Sequence, residues 1–376
     1  MGDLILRKAQ LDDLSKIASF FLKAYGPNTA FQSSSFLKYY FRNPYDPSQI
    51  FSSNWIGLNP TGEIVSHYGG LQYKLQLGEK TLHVVWGVNA YTLPEYRGLG
   101  FNGNLVKILF EENVVNATLG MSLETHKFYK KLGYEVFDHL RFSRFILNFK
   151  EDSFLIISGM GQNTERAQSL VPVTFIPKSV EEGKGIQPVK NENLKNYSFD
   201  LGVHATCTTH RDKDFISWRF LDNPFIDYKI FIEKVGNQIN AYAVIREEKL
   251  EPSGKKIGRI IDLYGSPRLV GSLLERIKIW SFQRNHIYLE FSKIGNLYSG
   301  ELLDQGFIRL DEDDAALFPQ VSSPVENRPN QEYLAIYSNL FNQEIRSLRS
   351  EDIYFTRMDS DRDRIARLDQ TFKTND

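Results

Sequence analysis

The sequence has a single cysteine, Cys207, almost no net charge and no hydrophobic run long enough to cross a membrane. One cysteine cannot form an internal disulfide, which is typical of a reducing compartment. A net charge of −1 gives no overall attraction for nucleic acid or for an anionic membrane surface. The first residues also lack the basic and then apolar pattern of a secretory leader. We therefore expect a cytoplasmic protein that binds neither nucleic acid nor membrane.

The length and the local composition together predict more than one domain. A chain of 376 residues is too long for one ordinary hydrophobic core. Residues 148–198 lose hydrophobic periodicity and contain several glycines and prolines, which indicates a linker. A short strand could form at 354–356, near the charged end of the sequence. The predicted segments are a first domain at 1–150, a linker at 151–198, a second domain at 199–340 and a charged tail at 341–376.

The most informative stretch of the first domain is a strand, a turn with two glycines and a helix. An apolar stretch at 82–90 predicts a buried strand, and apolar residues at helical spacing follow from Leu105. Between them, Gly98 and Gly100 permit positive φ and close approach of a ligand, because neither has a Cβ atom. The helix that follows adds free N–H groups and the positive end of its dipole. The pattern predicts a phosphate-binding loop, although it matches neither GxGxxG nor GxxxxGK[ST].

Three segments, taken in order, resemble the GNAT family of acyl-CoA-dependent N-acyltransferases. PEYRGLG at 94–100 resembles the family's pyrophosphate loop, [QR]-x-x-G-x-[GA], with Glu95 at the first position in place of Gln or Arg. Residues 4–25 resemble its opening strand and helix, and FYKKLGYEV at 128–136 resembles its closing helix and strand. The resemblance covers the first 150 residues. It implies an α/β (α+β) fold in which a mixed, mostly antiparallel twisted sheet is flanked by helices.

The second half of the sequence repeats the first imperfectly. FISWRFLDNP at 215–224 aligns with FLKYYFRNP at 36–44, and a similar order of strand and helix patterns follows each. Where the second phosphate loop is expected, residues 262–270 read DLYGSPRLV, with one glycine and a proline that removes a donor. We therefore predict two tandem GNAT-like units, of which the second cannot bind acyl-CoA.

The resemblance implies acetyl-CoA, the family's commonest donor, as the co-substrate, and no metal. Backbone N–H groups at 88–93 would stabilise the oxyanion of the tetrahedral intermediate. Tyr129 matches the family tyrosine near the CoA sulfur, and its phenol can donate a proton to the departing thiolate. The alternative for Tyr129 is a packed aromatic residue beside Phe128 with its hydroxyl in water. The residues predicted to bind the co-substrate are Tyr91, Thr92, Leu93, Arg97, Gly98, Leu99, Gly100, Phe101, Asn102 and Gly103.

The general base and the acceptor site are less clear from the sequence. Many relatives place a Glu where this sequence has Val84. The other candidates for the base are His67, His83, Glu124 and His126, and a lone histidine is more often structural. The residues predicted, on weaker grounds, to bind the acceptor are Tyr39, Tyr40, His67 and Trp86. For the two tyrosines the alternative is the buried face of a short helix that ends before Pro44.

The predicted function is therefore transfer of an acetyl group from acetyl-CoA to the primary amine of a small molecule, an amino sugar being one option, by direct attack. A first alternative is a Fem-like aminoacyl transferase that uses charged tRNA. The intact loop and the lack of a basic excess argue against it. A second alternative is a non-catalytic scaffold that binds acyl-CoA. The sequence leaves the oligomeric state open.

Overall fold

The computed structural model describes residues 5–365 except 28, 122, 152, 155–162, 174–186, 190, 195, 251–252, 316 and 319–332. The chain forms two compact units. The first comprises residues 1–139, 332–348 and 359–376, and the second comprises 140–331 and 349–358. The boundaries predicted at 150, 198 and 340 do not coincide with these units, because the chain crosses between the units four times. None of the helices in the described ranges combines the length and the hydropathy of a membrane-spanning helix.

The elements up to residue 139 all belong to the first unit. In chain order they are β1 Ile5–Lys8, α1 Leu14–Tyr25, α2 Ser34–Tyr40, β2 Arg42–Asn43, β3 Asp46–Ile50, β4 Trp55–Leu58, β5 Ile64–Leu77, β6 Lys80–Thr92, α3 Phe101–Glu112, β7 Val115–Met121, α4 Leu123–Lys131 and β8 Glu135–Val136.

The elements from residue 140 onward belong to the second unit, except for two late elements, β17 and α11, that belong to the first. They are β9 Ser143–Asn148, α5 Thr164–Leu170, α6 Asn191–Leu194, β10 Ser198–Phe199, β11 Cys207–Thr209, α7 Lys213–Ile216, a π-helical turn Ser217–Leu221, β12 Tyr228–Val235, β13 Gln238–Leu250, β14 Lys255–Gly265, α8 Pro267–Gln283, β15 His286–Ile294, α9 Ser299–Asp304, β16 Ile308–Leu310, α10 Glu312–Ala315, β17 Tyr333–Ser338, α11 Asn342–Ser347 and β18 Ile353–Thr356.

The main sheet of the first unit has the order β1-β4-β5-β6-β7-β17-β8, and only the β6–β7 pair is parallel. Helix α1 packs on this sheet because its apolar residues recur at helical spacing, and Ile17, Phe20 and Phe21 are buried. Strand β17 lies between β7 and β8, although it follows them by almost two hundred residues in the chain. The mixed, mostly antiparallel sheet predicted for this unit is confirmed.

The sheet opens on one side of β6 and bulges on the other. On the β7 side, β6 pairs from Val84 to Gly87 with residues 115–118, and the two strands diverge beyond that point. On the β5 side, the register shifts between His67 and Gly69, so β6 has one residue more than its partner strand. The extra residue lies near Asn89, whose φ of +51° is left-handed. The open gap and the bulge therefore lie on the same short stretch of β6.

The second unit has its own mixed sheet. Strands β12, β13 and β14 are antiparallel, β14 and β15 are parallel, and β9 lies between β15 and β16. Strand β9 pairs with β15 of this second sheet and does not extend the first sheet. The short strand predicted at 354–356 is present as β18, which pairs with the end of β15.

Lys293, near the end of β15, is a fully buried cation. Its Nζ donates hydrogen bonds to the carbonyl of Gly295 at 2.7 Å and to Oγ of Ser299 at 2.8 Å. Burial, with a smaller contribution from Arg309, lowers the pKa of Lys293 to about 7. The folded chain therefore releases this proton at a lower pH than the unfolded chain does.

We expect Lys293 to make stability rise with pH above neutrality. Between the folded pKa of about 7 and the ordinary value of 10.5, only the unfolded chain keeps the proton. The unfolded state then binds more protons, so the free energy of unfolding increases with pH. Urea denaturation at pH 6, 8 and 9.5 should show this rise in the parent and a flatter dependence in Lys293→Met. Identical pH dependence in both proteins would contradict it.

Candidate active site

The predicted strand, glycine turn and helix are all present in the first unit. Strand β6 ends at Thr92, a single 3₁₀ turn covers Pro94–Tyr96, and α3 begins at Phe101. Gly98 has a φ of +82° and Gly100 a φ of +83°, values that side chains with a Cβ atom adopt at a cost. The glycines thus let the chain reverse tightly between the strand and the helix, as the sequence predicts.

The N-terminus of α3 offers donors to a ligand. The N–H of Asn104 donates to the carbonyl of Gly100 at 3.0 Å, which starts the helical ladder. The preceding N–H groups at 101–103 have no intrahelical acceptor, since they lie in the first turn. Gly100 is the N-cap residue and supplies no side-chain cap. These donors, together with the helix dipole, form a site for an anion such as a pyrophosphate.

Side-chain hydrogen bonds connect the glycine loop and the start of α3 to strands β5 and β6. The Nε of Arg97 donates to the carbonyl of Thr92 at 3.1 Å, and its guanidinium lies over the ring of Tyr91 at 5.3 Å. The hydroxyls of Ser66 and Thr92 are 2.8 Å apart, and both are within 3.5 Å of Oδ1 of Asn102. The first turn of α3 is therefore tied to the ends of β5 and β6.

The loop borders a cavity of about 620 Å³. Of the ten residues predicted to bind the co-substrate, eight line this cavity. Leu93 is buried and Leu99 is exposed, and neither lines it. The lining residues are Ala90, Tyr91, Thr92, Tyr96, Arg97, Gly98, Gly100, Phe101, Asn102, Gly103, Thr125, Phe128 and Tyr129.

Sequence reasoning missed three lining residues, Tyr96, Thr125 and Phe128. Thr125 precedes Tyr129 by four residues on α4, and residues at that spacing lie on one face of a helix. The helical period around Tyr129 would therefore have pointed to Thr125. Tyr96 lies inside the motif PEYRGLG, in which only Arg97 and the residues that follow it were predicted to bind the ligand.

Tyr129 reaches the cavity from a buried position. Its side chain is only 4% exposed, and its ring packs edge to face against Tyr134 at 4.8 Å. It belongs to one buried cluster with Tyr68 and Tyr134, so the side chain is not open to water as the packing alternative assumed. Burial raises the pKa of Tyr129 well above its ordinary value, so the phenol keeps its proton at neutral pH. Its role as an acid stays a prediction.

None of the candidate bases whose side chains the structure describes lies in the lining. Val84 is buried within the sheet, and His83 is exposed with its ring 6.3 Å from Tyr45. His126 is on α4, where its Nε2 contacts Oδ1 of Asp138. The side chain of Glu124 lies outside the described part of the chain. Among the described residues, the lining contains no carboxylate and no imidazole.

The residues predicted on weaker grounds to bind the acceptor also lie outside the cavity. Tyr40 is buried on α2, which confirms the short-helix alternative. Trp86 is fully buried and stacks on Tyr73 at 5.8 Å, whereas Tyr39 is half-buried under the guanidinium of Arg42. His67 is buried as well. Their aromatic rings form core contacts because α1 and α2 cover this face of the sheet, so the preference for an amino sugar loses its basis.

In the second unit the corresponding gap is closed. Strands β14 and β15 pair in parallel as far as Ile260 and Phe291. Beyond that point β15 pairs with β18. The other edge of β15 pairs with β9, so β18 lies on the β14 side and fills the gap there. The hydroxyl of Tyr354 on β18 donates to the carbonyl of Leu263. At the helix start, Tyr298 exchanges hydrogen bonds with both backbone groups of Gly265.

The parted strands, the glycine loop and the open helix N-terminus all lie in the part of the chain that matches a family model. Residues 6–137 match the family model described as an acetyltransferase (GNAT) domain. No curated protein matches the chain.

Two solved structures of similar fold are informative. One is a conserved protein of unknown function from Enterococcus faecalis V583, described as a probable N-acyltransferase. It is 12% identical with a TM-score of 0.50, over 90% of this chain and 72% of that one. The other is Saccharomyces cerevisiae N-myristoyltransferase with bound myristoyl-CoA. It is 10% identical with a TM-score of 0.50, over 90% of this chain and 80% of that one. The match to a GNAT domain therefore falls within the first unit, and the likeness to the two solved structures is one of fold.

Proposed function

We propose that the first unit transfers an acetyl group from acetyl-CoA to the primary amine of a small acceptor. The observation that carries the proposal is the cavity that joins the free N–H groups of the α3 N-terminus to the hydroxyl-bearing side chain of Tyr129. One end of such a site holds the pyrophosphate, and the other holds the reacting thioester. Eight of the ten residues predicted to bind the co-substrate line this cavity, which supports the proposal.

The reaction needs four events, and the site offers a group for two of them. The neutral amine nitrogen attacks the thioester carbon, and an N–H of β6 binds the oxyanion that forms. The carbon–sulfur bond then breaks, and Tyr129 gives its proton to the departing thiolate, which leaves as free CoA; Tyr129 regains a proton from solvent. The fourth event is loss of the amine proton. We propose that water accepts it, since the lining supplies no carboxylate or imidazole among the described residues.

The lack of a carboxylate or imidazole among the described lining residues also favours a second candidate, a protein that binds acyl-CoA without turning it over. A site with a pyrophosphate loop but no base binds the donor and leaves the amine protonated. The two candidates make the same prediction for binding and opposite predictions for turnover. We propose further that the second unit is a degenerate copy with a supporting role, since β18 and Tyr298 occupy its gap.

Binding and turnover can be measured separately with the intact chain. Calorimetry with acetyl-, octanoyl- and myristoyl-CoA measures binding, and thiol release in the presence of a panel of amino sugars, polyamines and amino acids measures turnover. We expect acetyl-CoA to be bound and to be consumed with at least one amine. Binding without turnover on any amine would favour the scaffold, preference for myristoyl-CoA would overturn the acetyl assignment, and no binding would overturn the proposal.

A further inference from the structure

His67 holds the bulge in β6 through a single hydrogen bond. Its Nδ1 lies 3.2 Å from the carbonyl oxygen of Asn89, the residue whose φ is +51°. A carbonyl oxygen only accepts hydrogen bonds, so Nδ1 carries the proton and donates it. The side chain of Asn89 makes a second, longer contact from Nδ2 to the hydroxyl of Tyr40 at 3.5 Å. The position of this one carbonyl is therefore fixed from the α1 side of the sheet.

The position of the Asn89 carbonyl also decides where the next N–H points. The carbonyl of Asn89 and the N–H of Ala90 belong to one planar trans peptide, in which the two bonds point in opposite directions. The carbonyl points toward His67, so the N–H of Ala90 points away from it. Ala90 lines the cavity, and the bulge takes its peptide out of regular pairing with β5. The N–H is thus aimed toward the side on which the thioester would lie.

The surroundings of His67 keep it neutral and rigid. The ring is fully buried between Phe20, Phe21 and Phe41, with centroid distances of 6.1, 4.8 and 5.7 Å. This burial lowers the pKa of His67 to about 4, so the ring is neutral at physiological pH. Nε2 has no hydrogen-bond partner among the described residues, which leaves Nδ1 as the one polar contact of the ring. The histidine does not reach the cavity and cannot act as the base.

We propose that His67 is a positioning residue that aims the N–H of Ala90 at the thioester oxygen, and that this N–H is a donor to the oxyanion. The inference rests on the proposed function, because it assigns a role within that reaction. It replaces the role of base or acceptor contact that the sequence suggested for His67.

The test compares two substitutions of His67 that differ in one donor. In His67→Asn, Nδ2 occupies nearly the place of the histidine Nδ1 and can still donate to Asn89, whereas His67→Leu cannot. We expect His67→Leu to lower kcat about tenfold with little change in acetyl-CoA affinity, less than the roughly 10²–10³-fold loss of a whole oxyanion donor. His67→Asn should recover part of that loss. Phe21→Leu, which alters packing against the same ring, should leave kcat close to the parent value.

A spectroscopic measurement makes the test independent of an acceptor. The infrared carbonyl stretch of bound acetyl-CoA, carrying ¹³C in the thioester, falls when the oxygen accepts a hydrogen bond. We expect the stretch to move to higher frequency in His67→Leu but not in His67→Asn or Phe21→Leu. Equal frequencies in the parent and His67→Leu would overturn the role of His67 and leave the proposed function standing. Failure of the parent to bind acetyl-CoA would overturn both.

Discussion

Gly100→Val should weaken acetyl-CoA binding by about 100-fold or more, the loss expected when two charge-assisted hydrogen bonds of about 1.5–3 kcal/mol each are removed. A Cβ atom at Gly100 would meet no atom closer than 3.7 Å, so the empty loop has room for the side chain. The loss of acetyl-CoA affinity therefore has two causes other than a clash within the empty loop. A φ of +83° is strained for valine by about 1–3 kcal/mol, and relief of that strain turns the N–H groups away. The isopropyl group would also stand in the cavity.

Gly62→Val is the matched control for the strain itself. Gly62 has a φ of +81° and equally open surroundings, but it lies in the turn between β4 and β5, outside the cavity lining. Calorimetric titration of both variants, with thermal unfolding to confirm that each is folded, separates backbone strain from loss of the ligand site. A folded Gly100→Val that binds acetyl-CoA like the parent would remove the pyrophosphate assignment.

Tyr129→Phe should lower kcat by about 100-fold, at the low end of the usual 10²–10⁴-fold for a general acid. The change removes one hydroxyl and almost no volume, so acetyl-CoA affinity should stay close to that of the parent. The lost interaction is made in the transition state that expels the thiolate, so kcat and kcat/KM should fall together. Because burial raises the pKa of Tyr129 well above 10, the parent's rate should show no alkaline decline from this group below pH 10.

Tyr134→Phe is the matched control, because a loss of rate that came only from altered packing would appear in both variants. Tyr134 belongs to the same buried tyrosine cluster, and its hydroxyl is likewise removed without change of volume, but it does not line the cavity. Steady-state kinetics of both variants with an identified amine should show the loss of kcat only for Tyr129→Phe. Equal rates in the two variants would leave Tyr129 as a core residue and favour the scaffold.

The loop could be predicted from the sequence because local rules determine it. Two glycines at a strand-to-helix turn permit positive φ, and the helix that follows them supplies N–H donors that converge on an anion. Gly98 and Gly100 have that conformation in the structure. The short helix containing Tyr40 was also predictable, since its apolar residues follow the helical period before Pro44.

The strand pairing and the burial of the aromatic residues could not be predicted, because they depend on contacts between distant parts of the chain. Nothing near residues 143–148 indicates that this strand joins the second sheet, because strand alternation shows which side chains are buried and not which edge the strand pairs with. The burial of Tyr40 and Trp86 outside the cavity could not be predicted for the same reason. The sequence shows flat apolar rings, and only the fold decides whether a helix covers them.

The late return of β17 to the first sheet has a consequence during synthesis on the ribosome. Until residues 333–338 have been made, β7 has an unpaired edge and β8 has no strand to join. At about 5–20 residues per second, the roughly 200 residues between β7 and β17 take about 10–40 s to synthesise. An open edge of that kind pairs readily with other chains. The sheet of the nascent N-terminal unit therefore keeps an open edge until residues 333–338 have been made, and it can be completed only then.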